Sequence, residues 1–162
     1  MVSVRAARAA DFAAISTLVA AAFGRPEEAT IVEAVRAEGA ALVELVAEEA
    51  GAIVGHVLFS RMGSRPAAFV AALGPLAVAP ARQRQGFGSA LAGQGIEACR
   101  SLGAAAIVLL GHPAYYPRFG FSAEAAATIR SPYAGLPAFM ALELRPGALA
   151  APLDLAYPAA FG

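Results

Sequence analysis

The stretch from Leu73 to Leu91 constrains the fold most, because its hydrophobic period changes within one short turn. Its first part is continuously apolar, which predicts a buried strand. Gly74-Pro75 predicts a bulge in that strand, because proline has no N–H for strand pairing. From Phe87 onward the apolar residues follow helical spacing, and another apolar stretch, 104–110, comes next. Strand, helix and strand in this order predict a right-handed parallel crossover.

The rest of the chain predicts an α/β domain with a mixed, mainly antiparallel sheet. Amphipathic helical patterns cover 11–24 and 26–39, and a short turn of helix is expected at 115–119. The tail from Arg145 is rich in alanine and proline and is expected to be irregular chain. Strands are predicted at 2–5, 42–48, 52–60, 67–78, 104–110, 125–130 and 138–144.

Charge and hydropathy exclude several function classes. The 12 basic and 12 acidic residues give a net charge of zero, which argues against a nucleic-acid partner. Mean hydropathy is +0.62, but the longest apolar run, 67–81, is too short and too interrupted to span a membrane. The single cysteine, Cys99, and the lack of a signal-peptide core predict a cytoplasmic protein. No metal site is expected, because the two histidines and the cysteine lack ligand spacing.

The turn before the third helical pattern is suited to a phosphate group. Gly86 and Gly88 let the backbone approach phosphate oxygens, and the N–H groups at a helix start favour an anion. Arg82 and Arg84 add cationic donors, although ordinary helix-start chemistry would give the same pattern. A dinucleotide-binding turn is disfavoured, because Leu91 occupies the third glycine position of G-x-G-x-x-G. A nucleotide-triphosphate loop is excluded by the lack of G-K-[ST].

The segment Gln83-Arg84-Gln85-Gly86-Phe87-Gly88 resembles the Q/R-x-x-G-x-G/A signature of the GNAT family, the Gcn5-related N-acetyltransferases. The stretches 73–78 and 115–121 resemble the YhbS-type branch of that family, and the similarity extends from residue 2 to about 144. The resemblance implies an α/β (α+β) fold with a mixed, mainly antiparallel sheet of six to seven strands. Helices would cover both faces, and the central parallel strand pair would be splayed. The implied domain covers 1–144, and the tail, 145–162, packs on it or extends from it.

The resemblance also implies that acetyl-CoA, as co-substrate, enters the gap between the splayed strands. Backbone groups of the first strand would pair with the pantetheine arm, and N–H groups of the turn would hold the pyrophosphate. An N–H near Leu76 or Ala77 would polarise the thioester carbonyl. The implied cofactor-binding residues are Leu76, Ala77, Val78, Arg82, Gln83, Arg84, Gln85, Gly86, Phe87, Gly88 and Ser89.

Tyr116 is the implied proton donor, because it stands five residues before Phe121 in the family pattern Y-x-x-x-G-F. A phenol near its ordinary pKa can donate a proton to the leaving thiolate, although a structural tyrosine, as Tyr115 is expected to be, is the alternative. Many relatives carry a glutamate base on the strand before the turn, but 69–78 contains no ionisable side chain. His112, just after the next strand, is the candidate base. It equally fits a cap at the strand end, and a bound water could act instead.

The acceptor amine is expected between the loop 24–28 and the connection 131–137, which contains Tyr133. Glu27 and Glu28 would attract a cationic amine there, or would simply be a solvated pair at a helix start. Because both walls contain few ionic groups, a small or partly apolar amine is favoured. The chain is expected to be a monomer or a homodimer.

Two function classes remain. The first is an N-acetyltransferase that transfers the acetyl group of acetyl-CoA to a small-molecule or peptide amine by direct attack in a ternary complex. The second is a non-catalytic module that binds CoA or acyl-CoA, which the missing acidic residue favours and Tyr116 opposes. An acetyltransferase that acts on charged tRNA is a weaker alternative, because this neutral chain lacks a pronounced basic surface.

Overall fold

The computed structural model describes residues 3–162, which form an eight-stranded sheet and three α-helices. Val2, predicted to begin the first strand, lies outside the described residues. The strands are β1 (Ser3–Ala6), β2 (Ala41–Glu49), β3 (Ala52–Arg65), β4 (Val70–Val78), β5 (Ala106–Leu110), β6 (Ile129–Arg130), β7 (Phe139–Glu143) and β8 (Leu153–Ala156). The helices are α1 (Phe12–Phe23), α2 (Glu27–Ala37) and α3 (Phe87–Ser101), with single 3-10 turns at Ala9–Asp11, Pro80–Arg82, Tyr116–Phe119 and Ala159–Phe161.

The strand order of the sheet is β1-β2-β3-β4-β5-β7, with β8 paired to both β3 and β6. Neighbours in the main order are antiparallel except β4 and β5, which run parallel and are joined through α3. Apolar residues of α3 pack on one face of the sheet, and those of α1 and α2 pack on the other. The predicted mixed, mainly antiparallel sheet with helices on both faces is therefore confirmed.

The C-terminal tail contributes a strand that the sequence analysis did not predict. β8 pairs antiparallel with Gly63–Arg65 of β3 and parallel with β6, and it buries Leu153 and Leu155. The expectation of an irregular tail is wrong, because a strand of only four residues between prolines is too short for its alternation to be recognised. The strand predicted at 125–130 is also much shorter, since consecutive turns occupy 123–128.

β4 and β5 separate soon after they begin to pair. Their register joins only Val70–Ala72 to Ala106–Val108. On the other side of β4, the register with β3 shifts between Val57 and Phe59, which places Gly74-Pro75 in a bulge. The predicted bulge and the predicted splayed pair are both observed. Beyond Ala72, β4 therefore has a free edge toward β5, and a gap opens between the two strands.

Close packing of α3 against the sheet requires a glycine at one position. A Cβ atom at Gly95 would lie 2.1 Å from Cε1 and 2.6 Å from Cζ of Phe59. Gly95 is buried, and Phe59 is fully buried in the main apolar cluster. The Phe59 ring therefore has little room to move. The absence of a side chain at Gly95 therefore sets how closely α3 approaches β3.

Gly95→Ala is expected to lower the free energy of unfolding by about 1–3 kcal/mol, because the added methyl group overpacks the core. Gly93→Ala is the matched control, since no atom lies within 4 Å of a Cβ built at that helical position. The control should stabilise the protein by about 0.5–1 kcal/mol through helix propensity. Urea unfolding of both variants measures the difference, and equal stability of the two would contradict this account of α3 packing.

Candidate functional site

The gap between β4 and β5 opens into a cavity of about 440 Å³. It lies where an open sheet commonly binds ligands, beyond the carboxyl ends of parallel strands. The strands and the loop after β5 line it with Ala72, Leu73, Gly74, Pro75, Leu76, Val108, Leu109, Leu110, Gly111 and His112. The surrounding elements add Phe23, Glu28, Ile31, Tyr116, Tyr133, Tyr157 and Phe161.

The turn between β4 and α3 presents unpaired backbone donors. Gly86, with a φ of +90°, caps the helix in the left-handed region that favours glycine. The first helical hydrogen bond of α3 is the one that the Ala90 N–H donates to the Gly86 carbonyl at 3.1 Å. The N–H groups of Phe87, Gly88 and Ser89 therefore have no acceptor within their own helix, and such groups bind anions.

Side chains around this turn divide into those that hold its shape and those that face solvent. The amides of Gln83 and Gln85 donate to the carbonyls of Val78 and Ala81 at 3.2 and 3.4 Å. Arg82, predicted to contact phosphate, forms an ion pair with Glu49 at 2.6 Å. Arg84 is exposed and stands in the left-handed region with a φ of +64°. Of the two arginines, Arg84 is the more available for an anion.

Tyr115 connects the turn to the cavity. Its hydroxyl lies 3.1 Å from Ser89 Oγ, and 3.3 Å from where a Cβ at Gly88 would stand. The Arg118 guanidinium stacks on the Tyr115 ring at 4.1 Å and donates to its carbonyl at 2.8 Å. The sequence analysis assigned Tyr115 a structural role and did not single out Arg118. The structure places Tyr115 beside the turn between β4 and α3, and Arg118 against Tyr115.

Tyr116 lies at the boundary between the cavity and the core. Its ring packs edge-on against Phe121 at 6.2 Å, and Gly111 makes room for it, since a Cβ there would be 2.5 Å from Tyr116 Cε2. Burial, with a smaller contribution from Tyr115, raises the pKa of Tyr116 to about 12. The expectation of an ordinary pKa was wrong, because the sequence does not show how deeply the phenol is buried. The hydroxyl therefore stays protonated at neutral pH.

The two histidines lie in different environments. His112 is exposed and lines the cavity, directly after β5 as predicted. His56 is fully buried on β3, where its Nε2 lies 2.8 Å from Glu44. Burial opposes ionisation of Glu44, but hydrogen bonds from His56 and Arg36 hold the pKa of this carboxyl at about 2. His56 thus belongs to a hydrogen-bonded cluster with Glu44 and Arg36, and His112 is the histidine that reaches the cavity.

The two acidic residues at the start of α2, Glu27 and Glu28, lie in different environments. Glu28 lines the cavity, and Arg25 donates to both of its carboxylate oxygens, at 3.0 and 2.5 Å. This hydrogen bonding lowers the pKa of Glu28. Glu27 is 62% exposed, lies 3.7 Å from Arg25 and is not among the lining residues. Only Glu28 is placed to meet a ligand in the cavity.

Residues 3–162 offer neither a cluster of metal ligands nor a membrane-spanning helix. No group of three or more histidine, cysteine, aspartate or glutamate side chains there could hold a metal ion. No helix of this region has the length and apolar character needed to cross a membrane.

Comparison with known proteins shows to which family this chain belongs. The model of the acetyltransferase (GNAT) family matches residues 12–121, which include the β4–α3 turn and Tyr116. The chain belongs to the GNAT family. Escherichia coli YhbS, described as an uncharacterized N-acetyltransferase, is 32% identical over 127 residues, 77% of this chain and 76% of its own length. E. coli YjhQ, described likewise, is 43% identical over 74 residues, which are 44% of this chain and 41% of YjhQ.

Two solved GNAT structures share the whole fold. The crystal structure of E. coli YhbS in complex with CoA has a TM-score of 0.92 and 30% identity, covering 99% of this chain and 91% of that one. A GNAT acetyltransferase from Brucella melitensis in complex with acetyl-CoA has a TM-score of 0.84 and 36% identity. That match covers 100% of this chain and 99% of the Brucella chain. The predicted YhbS-type branch of the GNAT family is confirmed.

Three aromatic residues that line the cavity were missed by the sequence analysis. They are Phe23, which lies far away in the sequence, and the two tail residues Tyr157 and Phe161. Phe23 ends the apolar stripe of α1, and the other two belong to the tail that was expected to be irregular. The sequence did contain one signal for these positions, namely two aromatic residues, Tyr157 and Phe161, in a tail that was expected to be irregular.

Proposed function

We propose that this GNAT protein transfers the acetyl group of acetyl-CoA to a primary amine by direct attack in a ternary complex. The observation that carries the proposal is the gap between β4 and β5, which lies between the N–H groups of the turn and the cavity. The free edge of β4 at Leu76, Ala77 and Val78 is available to the amides of pantetheine. The turn from Gln83 to Ser89 would hold the pyrophosphate, with Arg84 and Arg118 nearby for outer phosphates. The CoA and acetyl-CoA bound by the two relatives support this assignment.

The reaction needs an attacking amine, a polarised carbonyl and a stabilised leaving thiolate. The amine nitrogen attacks the thioester carbon, a backbone N–H of β4 near Leu76 stabilises the oxyanion, and the C–S bond then breaks. Tyr116 would donate a hydrogen bond to the departing sulfur. Complete proton transfer from this phenol, whose pKa is about 12, to a thiolate whose conjugate thiol has a pKa of about 8.5 would be uphill by roughly 3.5 pKa units. The proton that finally reaches the thiol therefore comes from the amine or from solvent.

His112 is the proposed acceptor for the proton that the amine loses. It is exposed at the mouth of the cavity, so it can pass a proton directly to solvent. Glu28 is less suited to this role, because both of its oxygens accept hydrogen bonds from Arg25. β4 itself offers no ionisable side chain.

Calorimetric titration with acetyl-CoA, followed by detection of free CoA thiol in the presence of amines, tests the proposal. We expect micromolar binding and amine-dependent release of thiol. All 12 basic residues of the chain are arginine, so no lysine of the enzyme can be acetylated and confuse the result. His112→Ala should lower kcat by roughly 100-fold without changing acetyl-CoA affinity, because it removes the proposed proton acceptor.

The non-catalytic alternative has one observation in its favour, which is the absence of a free carboxylate along β4. Tight acetyl-CoA binding without thiol release from any amine would support that module and reject the transferase. No binding at all would reject both functions.

The cytoplasm stays the proposed location of the protein, and the choice between monomer and homodimer stays a prediction.

A further inference from the structure

The acceptor side of the cavity is walled by aromatic rings from separate parts of the chain. Tyr133 packs edge-on against Tyr157 at 5.6 Å and 84°, and Tyr157 packs against Phe161 at 6.0 Å and 69°. Phe23, at the end of α1, lines the same cavity. The rings of Tyr133, Tyr157 and Phe161 thus form a continuous surface, called here the aromatic wall. Such surfaces favour flat apolar groups through ring packing and burial.

The tail is fixed in the position that the wall requires. β8 is hydrogen-bonded to β3 and β6 just before Tyr157. After it, the carboxylate of Glu38 accepts the N–H groups of Ala159 and Ala160 at 3.2 and 2.7 Å. Phe161 packs with Leu58 of the sheet. The wall is therefore part of the folded domain, and the cavity is incomplete without the last residues of the chain.

Charge around the cavity limits what an acceptor can carry. Among the lining residues within 3–162, Glu28 is the single carboxylate, and no arginine or lysine occurs. Arg25 donates to both oxygens of Glu28, so this carboxylate is already paired within the protein. An acceptor with a carboxylate or phosphate would meet no arginine or lysine among the lining residues, and moving such a charge out of water without a cationic partner costs free energy. The additional ammonium groups of a polyamine would likewise meet no unpaired carboxylate among these residues.

We propose, on the basis of the proposed function, that the acceptor is a primary amine attached to a flat apolar body such as an aromatic ring, with no anionic group. The aromatic wall holds the body, and the amine points toward the gap between β4 and β5. A volume of about 440 Å³, shared with the end of the pantetheine arm, has room for one small ring system. The tail residues Tyr157 and Phe161 are thus specificity-determining residues.

The probe is 2-phenylethylamine, compared with phenylalanine, spermidine and a lysine-containing peptide. Phenylalanine has the same ring and amine with an added carboxylate, so it isolates the charge argument. We expect kcat/KM for 2-phenylethylamine to exceed that for phenylalanine by about 100-fold, because the carboxylate meets no arginine or lysine in the cavity. Preferred acetylation of phenylalanine, spermidine or the peptide would overturn the proposal.

Phe161→Ala tests the wall, with Leu102→Ala as a matched control that removes an exposed apolar side chain at the end of α3. Phe161→Ala should raise KM for 2-phenylethylamine about tenfold while leaving acetyl-CoA affinity unchanged. Phe161→Tyr keeps the ring and should restore the KM, and the melting temperatures of all variants show whether each is folded. An unchanged KM in folded Phe161→Ala would reject the role of the tail.

Amine binding without turnover separates this proposal from the proposed function. 2-Phenylethylamine is titrated into the protein saturated with CoA, where no acetyl transfer is possible. Binding that is weakened by Phe161→Ala supports the wall even if the protein proves not to be a transferase. Acetyl transfer to other amines, with no binding of 2-phenylethylamine, rejects the wall while the transferase stands.

Discussion

Gly88→Trp is expected to reduce acetyl-CoA affinity by at least roughly 100-fold, because the indole would cover the N–H groups that form the anion site. The space for a side chain at this position is limited. A Cβ at Gly88 would lie 3.3 Å from the Tyr115 hydroxyl and 3.7 Å from Val78 Cγ2. The indole must therefore extend either over the turn or into the gap between β4 and β5. Calorimetry with acetyl-CoA measures the loss.

The matched control is Gly93→Trp on the same helix. No atom lies within 4 Å of a Cβ at Gly93, so the control adds the same side chain away from the turn. It should bind acetyl-CoA as the unmodified protein does. Gly88→Ala adds only a small group next to the movable Tyr115 hydroxyl, and it should have an intermediate affinity. Full binding by folded Gly88→Trp would mean that the cofactor does not use this turn.

Tyr116→Phe is expected to lower kcat by about 100-fold with little change in acetyl-CoA affinity, since a donor to the leaving group acts mainly in the transition state. The substitution removes one oxygen and keeps the ring that packs on Phe121. Because burial raises the pKa of Tyr116 to about 12, the donor remains protonated until the pH approaches that value. The rate should therefore not fall between pH 7 and 10 through loss of this proton.

Tyr115→Phe is the comparison for Tyr116→Phe, because the two tyrosines are adjacent but contact different parts of the site. The Tyr115 hydroxyl pairs with Ser89 at the turn, so its removal should weaken acetyl-CoA binding severalfold and leave kcat nearly unchanged. Steady-state kinetics at varied acetyl-CoA resolves the two effects. Equal turnover by Tyr116→Phe and the unmodified protein would reject Tyr116 as a donor.

The turn between β4 and α3 was predictable because its determinants are local. Gly86 supplies a left-handed conformation, Gly88 leaves the backbone open, and helical spacing begins at Phe87. These features follow one another along the chain, so a single sequence displays them. The roles of individual side chains were less predictable. Arg82, for example, is paired with Glu49, which lies on another strand.

The acceptor side could not be predicted because its residues meet only through distant contacts. Tyr133 was expected near the acceptor, but Tyr157 and Phe161 come from a tail without a recognisable pattern. Their position depends on the pairing of β8 with β3, about ninety residues earlier in the chain. A short turn of helix was expected at 115–119 and occurs as the 3-10 turn Tyr116–Phe119, but the burial that raises the pKa of Tyr116 was not expected.

The sequence by itself determined the strand, turn and helix around Gly86, and the crossover that joins β4 to the parallel strand β5. Hydrophobic period, backbone conformation and the missing N–H of proline act over a few residues, so they appear directly in the sequence. Tertiary structure alone decided the raised pKa of Tyr116, the ion pair of Arg82 with Glu49 and the aromatic wall. Each of these depends on burial and on partners from other elements, which only the packing of the whole chain brings together.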